Sequence, residues 1–204
     1  MSRISLLYAI VDAVLFRATS ELVAFSLELA AGGCTLLQYR NKSGNARGML
    51  DEAGELKQQV GDSLRLIMND RADLCLAADF AGVHVGQHDL SPQSVRGIIG
   101  PDRWLGVSTH NPEQVREADL TSADYLAIGP IFATSSKHNP DPVVGLEGLR
   151  QARQLTRKPV VAIGGITRAN AASVMEAGAD SVAVISDLLR DPRKSAEEFF
   201  RVLR

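Results

Sequence analysis

The chain has 204 residues, of which 45% are hydrophobic and 23% charged, and its formal net charge is −2. This length fills one sizeable core, and the near-neutral balance excludes a general nucleic-acid footprint. No apolar run reaches membrane-spanning length, and Asp12 interrupts "MSRISLLYAIVDA" too early for a signal peptide, so a cytoplasmic protein with no membrane partner is expected.

In chain order, short β-branched or Leu-rich runs alternate with amphipathic, Ala-rich segments. "LLYAIVD" opens the series, and a helix follows with Leu22, Phe25 and Leu29 on one face and a stop at Gly32-Gly33. Cys34 and then Cys75 sit among apolar or small residues without metal-ligand spacing, which predicts buried, reduced thiols. "TLLQYR", "RLIMND" and "GVHVG" are the next three strand candidates. "SPQSVRGIIG" is a helix with Ser91 as N-cap, Pro92 at its first position and Gly100 as its stop. After "WLGVST", Asn111-Pro112 starts another helix, and "DYLAIGP" and "PVVAIGG" are strands six and seven. A Thr167 cap is predicted to open the helix that runs to Gly178; "SVAVIS" and a last helix from Asp191-Pro192 complete the chain. Eight strands alternating with eight helices predict a (β/α)8 TIM barrel formed by one domain over residues 1–204. A doubly wound open sheet is the structural alternative; near-equal units without a domain break favour the closed barrel.

Barrel active sites lie where strands run into the following loops, so the last residues of each strand are the informative ones. Strand two ends with Gln38, Arg40 and Lys42, strand three with Asn69 and Asp70, and strand five with Ser108; Gln87 and Asp89 follow strand four. Strand six leads to Thr134, Ser135, Ser136 and Lys137. Period-two alternation places Gln38 and Arg40 on one face, and it predicts that Met68 and Asp70 share the inward row. It also points His84 into the barrel, where a hydrogen-bonded core histidine is the favoured reading over a ligand. His88, His110 and His138 show no metal spacing.

Two anion sites emerge. The loops after strands seven and eight, "IGGI" and "VIS", suit a phosphate, because Gly164 and Gly165 let backbone approach closely and N–H groups at helix starts meet the charge. Across the mouth, Arg40, Lys42 and Lys137 converge with the carboxylates of Asp70 and Asp89. A diphosphate chelating Mg2+ satisfies both charge types, since magnesium takes oxygen ligands and needs only one or two protein carboxylates.

"QYRNK", "NDR", "GVHVGQHDL", "GVSTH", "DYLAIGPIFATSSK" and "VAIGGI", in this order and spacing, resemble the thiamine-phosphate synthase (thiamine-phosphate pyrophosphorylase) family over nearly the whole chain. The resemblance implies a transferase that joins hydroxymethylpyrimidine diphosphate to a thiazole phosphate and releases diphosphate. It implies that Gln38, Tyr39, Arg40, Asn41, Lys42, Asn69, Ser108 and Lys137 hold the pyrimidine diphosphate, with Arg40, Lys42 and Lys137 as the catalytic cations. Asp70 and Asp89 would bind Mg2+, and Thr134, Ser135, Ser136, Gly165, Ile185 and Ser186 would hold the thiazole phosphate. Two small phosphorylated substrates are the implied partners. A homo-oligomer is expected from the family and from the apolar Phe199 and Phe200. The chain departs from the family pattern at Ser136, where a second threonine is usual, and at His88, where an acidic residue is frequent. The rival readings are a thiazole tautomerase-like relative, which needs no diphosphate site, and a non-catalytic phosphate-binding barrel. Both leave the set of Asp70, Asp89 and Lys137 unexplained.

Overall fold

A computed structural model describes residues 4–134 and 141–204. Eight parallel strands close in sequence order: β1 (Leu7–Asp12), β2 (Leu36–Arg40), β3 (Arg65–Asn69), β4 (Gly82–Val85), β5 (Trp104–Thr109), β6 (Tyr125–Ile128), β7 (Val160–Ile163) and β8 (Ser181–Val184). The barrel closes where β8 pairs with β1 in the register Leu7↔Val182, leaving no open sheet edge. Around it run α1 (Thr19–Ala31), α2 (Ala46–Val60), α3 (Ala72–Ala77), α4 (Pro92–Ile99), α5 (Pro112–Asp119), α6 (Gly145–Leu155), α7 (Ala171–Glu176) and α8 (Pro192–Val202). The closed barrel predicted from the alternation is the observed architecture, and the eight predicted strands are all present.

Alternation along each strand divides the core into two layers. Leu7, Ala9 and Val11 of β1, Leu37 and Tyr39 of β2, and Val83 and Val85 of β4 pack outward against helical residues such as Leu22, Leu56, Val95 and Phe199. Tyr8, Ile10, Leu36, Ile67, Tyr125, Ala127, Val161 and Ala183 fill the barrel interior. Burying a large aliphatic side chain contributes about 1.5–3 kcal/mol, so the outer layer, which is much the larger, supplies most of the driving force.

The predicted caps largely hold. The side chains of Ser91, Asn111 and Asp191 accept hydrogen bonds from the N–H groups of Ser94, Gln114 and Lys194 at the starts of α4, α5 and α8. Thr167 does not cap α7. A turn comes first, in which the Asn170 amide oxygen accepts from Thr167 N–H, and the helix begins at Ala171. The expectation for Met68 is also corrected. Met68 packs outward in the helix layer, whereas Ile67 and Asn69 face inward. Asp70 reaches the barrel mouth by another route: its φ of 62° turns the chain out of the strand and breaks the alternation. Cys34 and Cys75 are buried free thiols, as expected. Phe199 is fully buried and so is not a leftover apolar surface, whereas Phe200 packs half-buried against the core. No helix among the described residues is long and apolar enough to cross a membrane.

Candidate active site

A cavity of about 430 Å³ opens at the C-terminal ends of the strands. A second cavity, of about 460 Å³, lies at the opposite end and is lined by strand-start residues such as Leu36, Arg65 and Trp104. Barrel chemistry takes place at the C-terminal face, so the first cavity is the candidate site although it is slightly the smaller. One wall is polar: Gln38, Arg40, Lys42, Asn69, Asp70, His84, Gln87, His88, Asp89 and Ser108, from β2 to β5, all line it. The other wall is apolar and glycine-edged: Ile10, Val161, Ile163, Gly164, Gly165, Ala183 and Ile185.

The cations at the end of β2 are held by acids. Arg40 pairs with Asp12, which is buried at the end of β1, and Lys42 pairs with Asp70. Burial pushes the Asp70 carboxyl up; the bond from Lys42 opposes this, and the neighbouring Asp89 carboxylate reinforces it. Asp89 also closes the turn after β4, accepting from Gly86 N–H at 2.8 Å. Asp70 holds a left-handed backbone that aspartate tolerates better than most residues. Such an outlier, next to two charged partners in a cleft, is a functional signal. Among the described residues no cluster of three or more His, Cys, Asp or Glu forms a ready metal site.

Asn69 is 8% exposed, and its amide nitrogen is buried with no hydrogen-bond partner. Leaving such a donor unpaired costs about 1–3 kcal/mol, so a cavity-lining orphan of this kind points to a ligand. His84 is buried, with Nδ1 3.1 Å from the Tyr125 hydroxyl and Nε2 2.8 Å from Ser108 Oγ. Burial pulls its pKa down to about 4 despite the pull of Asp89, so the imidazole is neutral near pH 7. The inward, hydrogen-bonded histidine read from the sequence is therefore present, and it also lines the cavity.

On the apolar side, the chain leaving β6 is hooked onto the end of β7. Ile131 N–H donates to Ile163 O at 2.9 Å, and Phe132 N–H donates to Gly164 O at 3.0 Å. Gly165, at φ 64°, lies so close to this segment that a Cβ would sit 2.6 Å from Ala133 O. Gly164, at φ 97°, would place one 2.5 Å from Pro130 Cβ. The two glycines are thus required first by loop packing, and any room for a phosphate is a consequence. Ile185 and Ser186 follow β8 and share this lip. Arg168 ties it together: its guanidinium donates to Asp187 at 3.0 and 3.1 Å and also to Glu198 of α8.

Of the residues singled out in the sequence, the cavity gathers Gln38, Arg40, Lys42, Asn69, Asp70, Asp89, Ser108, Thr134, Gly165, Ile185 and Ser186. Tyr39 points away from it, buried in the helix layer, with its hydroxyl donating to Glu52 at 2.5 Å. Asn41 donates to the same Glu52 and to Tyr39 Oη. Ser135, Ser136 and Lys137 lie outside the described residues. Sequence reasoning passed over Asp12, Tyr8, Tyr125 and Asp141, and it read His110 only as a histidine without metal spacing. Asp12 ends a strand in the way that Asp70 follows one, and the same rule applied to β1 finds it. Tyr8 and Tyr125 were visible as phenols at inward positions of otherwise aliphatic strands. His110 anchors Nδ1 on Gly129 O at 2.6 Å and faces Asp141 at 3.5 Å, a contact between distant segments with no local signal.

A closed parallel barrel with its cavity at the C-terminal face defines the class of TIM-barrel enzymes. The chain matches the family described as "Thiamine monophosphate synthase" over residues 7–188. It is 61% identical over 200 residues to the thiamine-phosphate synthase of Koribacter versatilis, covering 97% of this chain and 95% of that one. It is 46% identical to that of Chloroflexus aurantiacus, over 88% of this chain and 83% of the other. Among solved structures, the thiamine phosphate pyrophosphorylase from Pyrococcus furiosus superposes with a TM-score of 0.85 at 34% identity, covering 97% of this chain and 94% of that one. The chain belongs to the thiamine monophosphate synthase family, and it is therefore an enzyme, a transferase of thiamine biosynthesis.

Proposed function

We propose that the chain joins hydroxymethylpyrimidine diphosphate to a thiazole phosphate, giving thiamine phosphate and diphosphate, with Mg2+ required. The observation that carries this is the division of one cavity into a polar wall of cations, carboxylates and amides and an apolar wall with a glycine lip. On this reading the polar wall takes the pyrimidine and its diphosphate through Gln38, Asn69, Ser108, Arg40 and Lys42, and the family resemblance adds Lys137 as a further cation. The lip of Thr134, Gly165, Ile185 and Ser186, together with Ser135 and Ser136, takes the thiazole phosphate.

Asp12 and Asp70 hold Arg40 and Lys42 in place before substrate arrives; diphosphate oxygens then take over as partners of these cations. Asp70 and Asp89 fit a magnesium ion, because the Asp89 carboxylate adds to the cost of ionising Asp70, which a bound cation would relieve, and magnesium needs no larger protein set. Bound there, magnesium supplies charge neutralisation to the diphosphate. The bond between the exocyclic methylene and the diphosphate oxygen breaks with its electron pair leaving on diphosphate, and the aminopyrimidine stabilises the resulting cation. The thiazole nitrogen lone pair then forms the new C–N bond. The apolar wall of Ile10, Val161, Ile163 and Ala183 keeps water from capturing the cation first. No protein nucleophile is needed.

On family resemblance alone the chain is a cytoplasmic homo-oligomer; size-exclusion chromatography with light scattering measures the oligomeric state. The central test is diphosphate release by the purified chain, with each substrate alone and with both, with and without Mg2+. Release that needs both substrates and the metal is the expected result. Release without the thiazole phosphate, or none with all three present, overturns the assignment.

A further inference from the structure

Beneath the polar wall an unbroken hydrogen-bond chain crosses the barrel. Gln38 Nε2 donates to Tyr8 Oη at 3.0 Å, and Tyr8 Oη lies 3.0 Å from Tyr125 Oη. Tyr125 Oη is 3.1 Å from His84 Nδ1, and His84 Nε2 is 2.8 Å from Ser108 Oγ. Five side chains from β1, β2, β4, β5 and β6 are thus linked, with Gln38 at one end and Ser108 at the other. The barrel is built to admit the chain: Gly106 lacks a side chain where a Cβ would lie 2.3 Å from the Tyr125 hydroxyl and 2.4 Å from His84 Nδ1.

The chain has a direction. Each phenol carries one proton, and a neutral imidazole carries one. Tyr8 accepts from the Gln38 amide, so its own proton goes to Tyr125. The Tyr125 proton then goes to His84 Nδ1, which leaves the imidazole proton on Nε2. Ser108 Oγ accepts that proton and must direct its own elsewhere. Ser108 is partly exposed to the cavity. With the Gln38 amide nitrogen toward Tyr8, the reverse direction would leave Tyr8 receiving two donors with no described acceptor for its own proton. Buried polar groups are rarely left unpaired in this way.

We propose that His84 is a positioning residue that determines specificity: held by Tyr125 in the Nε2–H tautomer, it turns the Ser108 hydroxyl into a hydrogen-bond donor toward the cavity while Gln38 offers its amide oxygen as an acceptor. A donor and an acceptor at the two ends match an aminopyrimidine, whose exocyclic amine donates and whose ring nitrogen accepts. They mismatch the oxo analogue, whose ring N–H donates and whose carbonyl accepts. To bind that analogue, the chain would have to move every proton along it and rotate the buried Gln38 amide. This inference rests on reading the polar wall as the pyrimidine site.

Two experiments test it. Nitrogen-15 NMR of the His84 imidazole in the full-length chain reports the tautomer without any need for turnover. Neutral Nε2–H is expected in the unsubstituted protein, and loss of that preference in Tyr125→Phe; the Nδ1–H tautomer in the unsubstituted protein overturns the proposal. The second measurement compares kcat/KM for the aminopyrimidine diphosphate and its oxo analogue. Sites that hydrogen-bond a substrate group reject analogues with the wrong group by up to roughly 10⁴-fold or more. Tyr125→Phe should lower the ratio at least tenfold, and Tyr8→Phe, which cuts the chain one link nearer Gln38, should do the same. A merely structural role lowers both rates together and leaves the ratio intact, and that result overturns the proposal. Absence of turnover in the unsubstituted chain would instead overturn the assignment of function and leave the tautomer measurement standing.

Discussion

At the scale of single residues, Asp70 has two separable roles. Its φ of 62° shapes the mouth, and its carboxylate meets Lys42 and Asp89. Asn adopts the same left-handed backbone readily, whereas Ala pays roughly 1–2 kcal/mol for it. Asp70→Asn should therefore keep or slightly raise the Tm, because a crowded half-buried charge is gone, while activity falls about tenfold or more and high Mg2+ restores part of it. Asp70→Ala should lose both activity and Tm. Activity measured against Mg2+ concentration, with metal-free melts alongside, separates the two roles, and an unchanged Mg2+ dependence in Asp70→Asn would make the position purely architectural. His84 gives a pH signature. Its folded pKa is depressed to about 4 from 6.5, so between these values the unfolded chain binds more protons than the native one. The associated stability is fully present above about pH 6.5 and is lost as the pH falls toward 4. Urea melts across this window should show the loss, and His84→Gln should flatten that component.

At the scale of elements, the hook between the β6 loop and the end of β7 makes Gly165 a packing residue. A Cβ there meets Ala133 O at 2.6 Å and Phe132 Cβ at 2.8 Å, so Gly165→Ala displaces the segment that carries Thr134. The expected result is a Tm lower by roughly 3 °C or more, since the left-handed φ alone costs about 1 kcal/mol. The KM for the thiazole phosphate should rise more than the KM for the pyrimidine diphosphate. An unaltered melt with a raised KM would show that the added methyl blocks phosphate directly, as the sequence alone suggested. Asp191 contrasts with this, as the N-cap of α8 on the periphery. Asp191→Ala should cost about 1 kcal/mol, or a Tm drop of roughly 2–4 °C, with kcat/KM unchanged. A change in kcat/KM would couple α8 to the site, by way of the bond between Arg168 and Glu198.

At the scale of the whole molecule, closure is the decisive feature. β8 pairs with β7 through Val161↔Ser181 and with β1 through Leu7↔Val182, so the last strand bridges the two ends of the sheet. Deleting residues 181–204 leaves β1 and β7 as bare edges and strips the outer layer of Val182, Val184, Leu188, Ala196 and Phe199. The truncated chain should show no cooperative thermal transition and should bind a hydrophobic dye. A sharp melt would mean that the first seven units form a stable open sheet. Closure also sets the chemistry, because it brings Arg40 and Lys42 to face Gly165 and Ser186 across one cavity although they are far apart in sequence.

Much of this was legible in the linear chain. Strand number and order follow from apolar runs and their punctuation. The caps at Ser91, Asn111 and Asp191 follow from local side-chain chemistry. The polar strand ends mark the mouth because a barrel strand must pass from filling to site along its length. These signals depend on neighbours within a few residues, and a sequence displays such neighbours directly. What failed depended on backbone torsion or on distant partners. Strand alternation placed Met68 beside Asp70, and only the positive φ at Asp70 shows that the two residues part company. Gly164 and Gly165 read as a phosphate lip, yet the atoms that exclude a side chain there belong to Pro130, Phe132 and Ala133. Tyr39 sat within a motif of site residues, and its outward position on β2 buried it against the helices. By itself the sequence determined the barrel, the order of its units and the residue types at its mouth, because local periodicity and capping energetics act within each unit. Only the tertiary structure decided which of those residues meet: the pairs Asp12–Arg40 and His110–Asp141 arise where neighbouring strands align their ends, and the five-membered chain from Gln38 to Ser108 arises where the closed barrel brings Tyr8 against Tyr125, joining residues that no local rule connects.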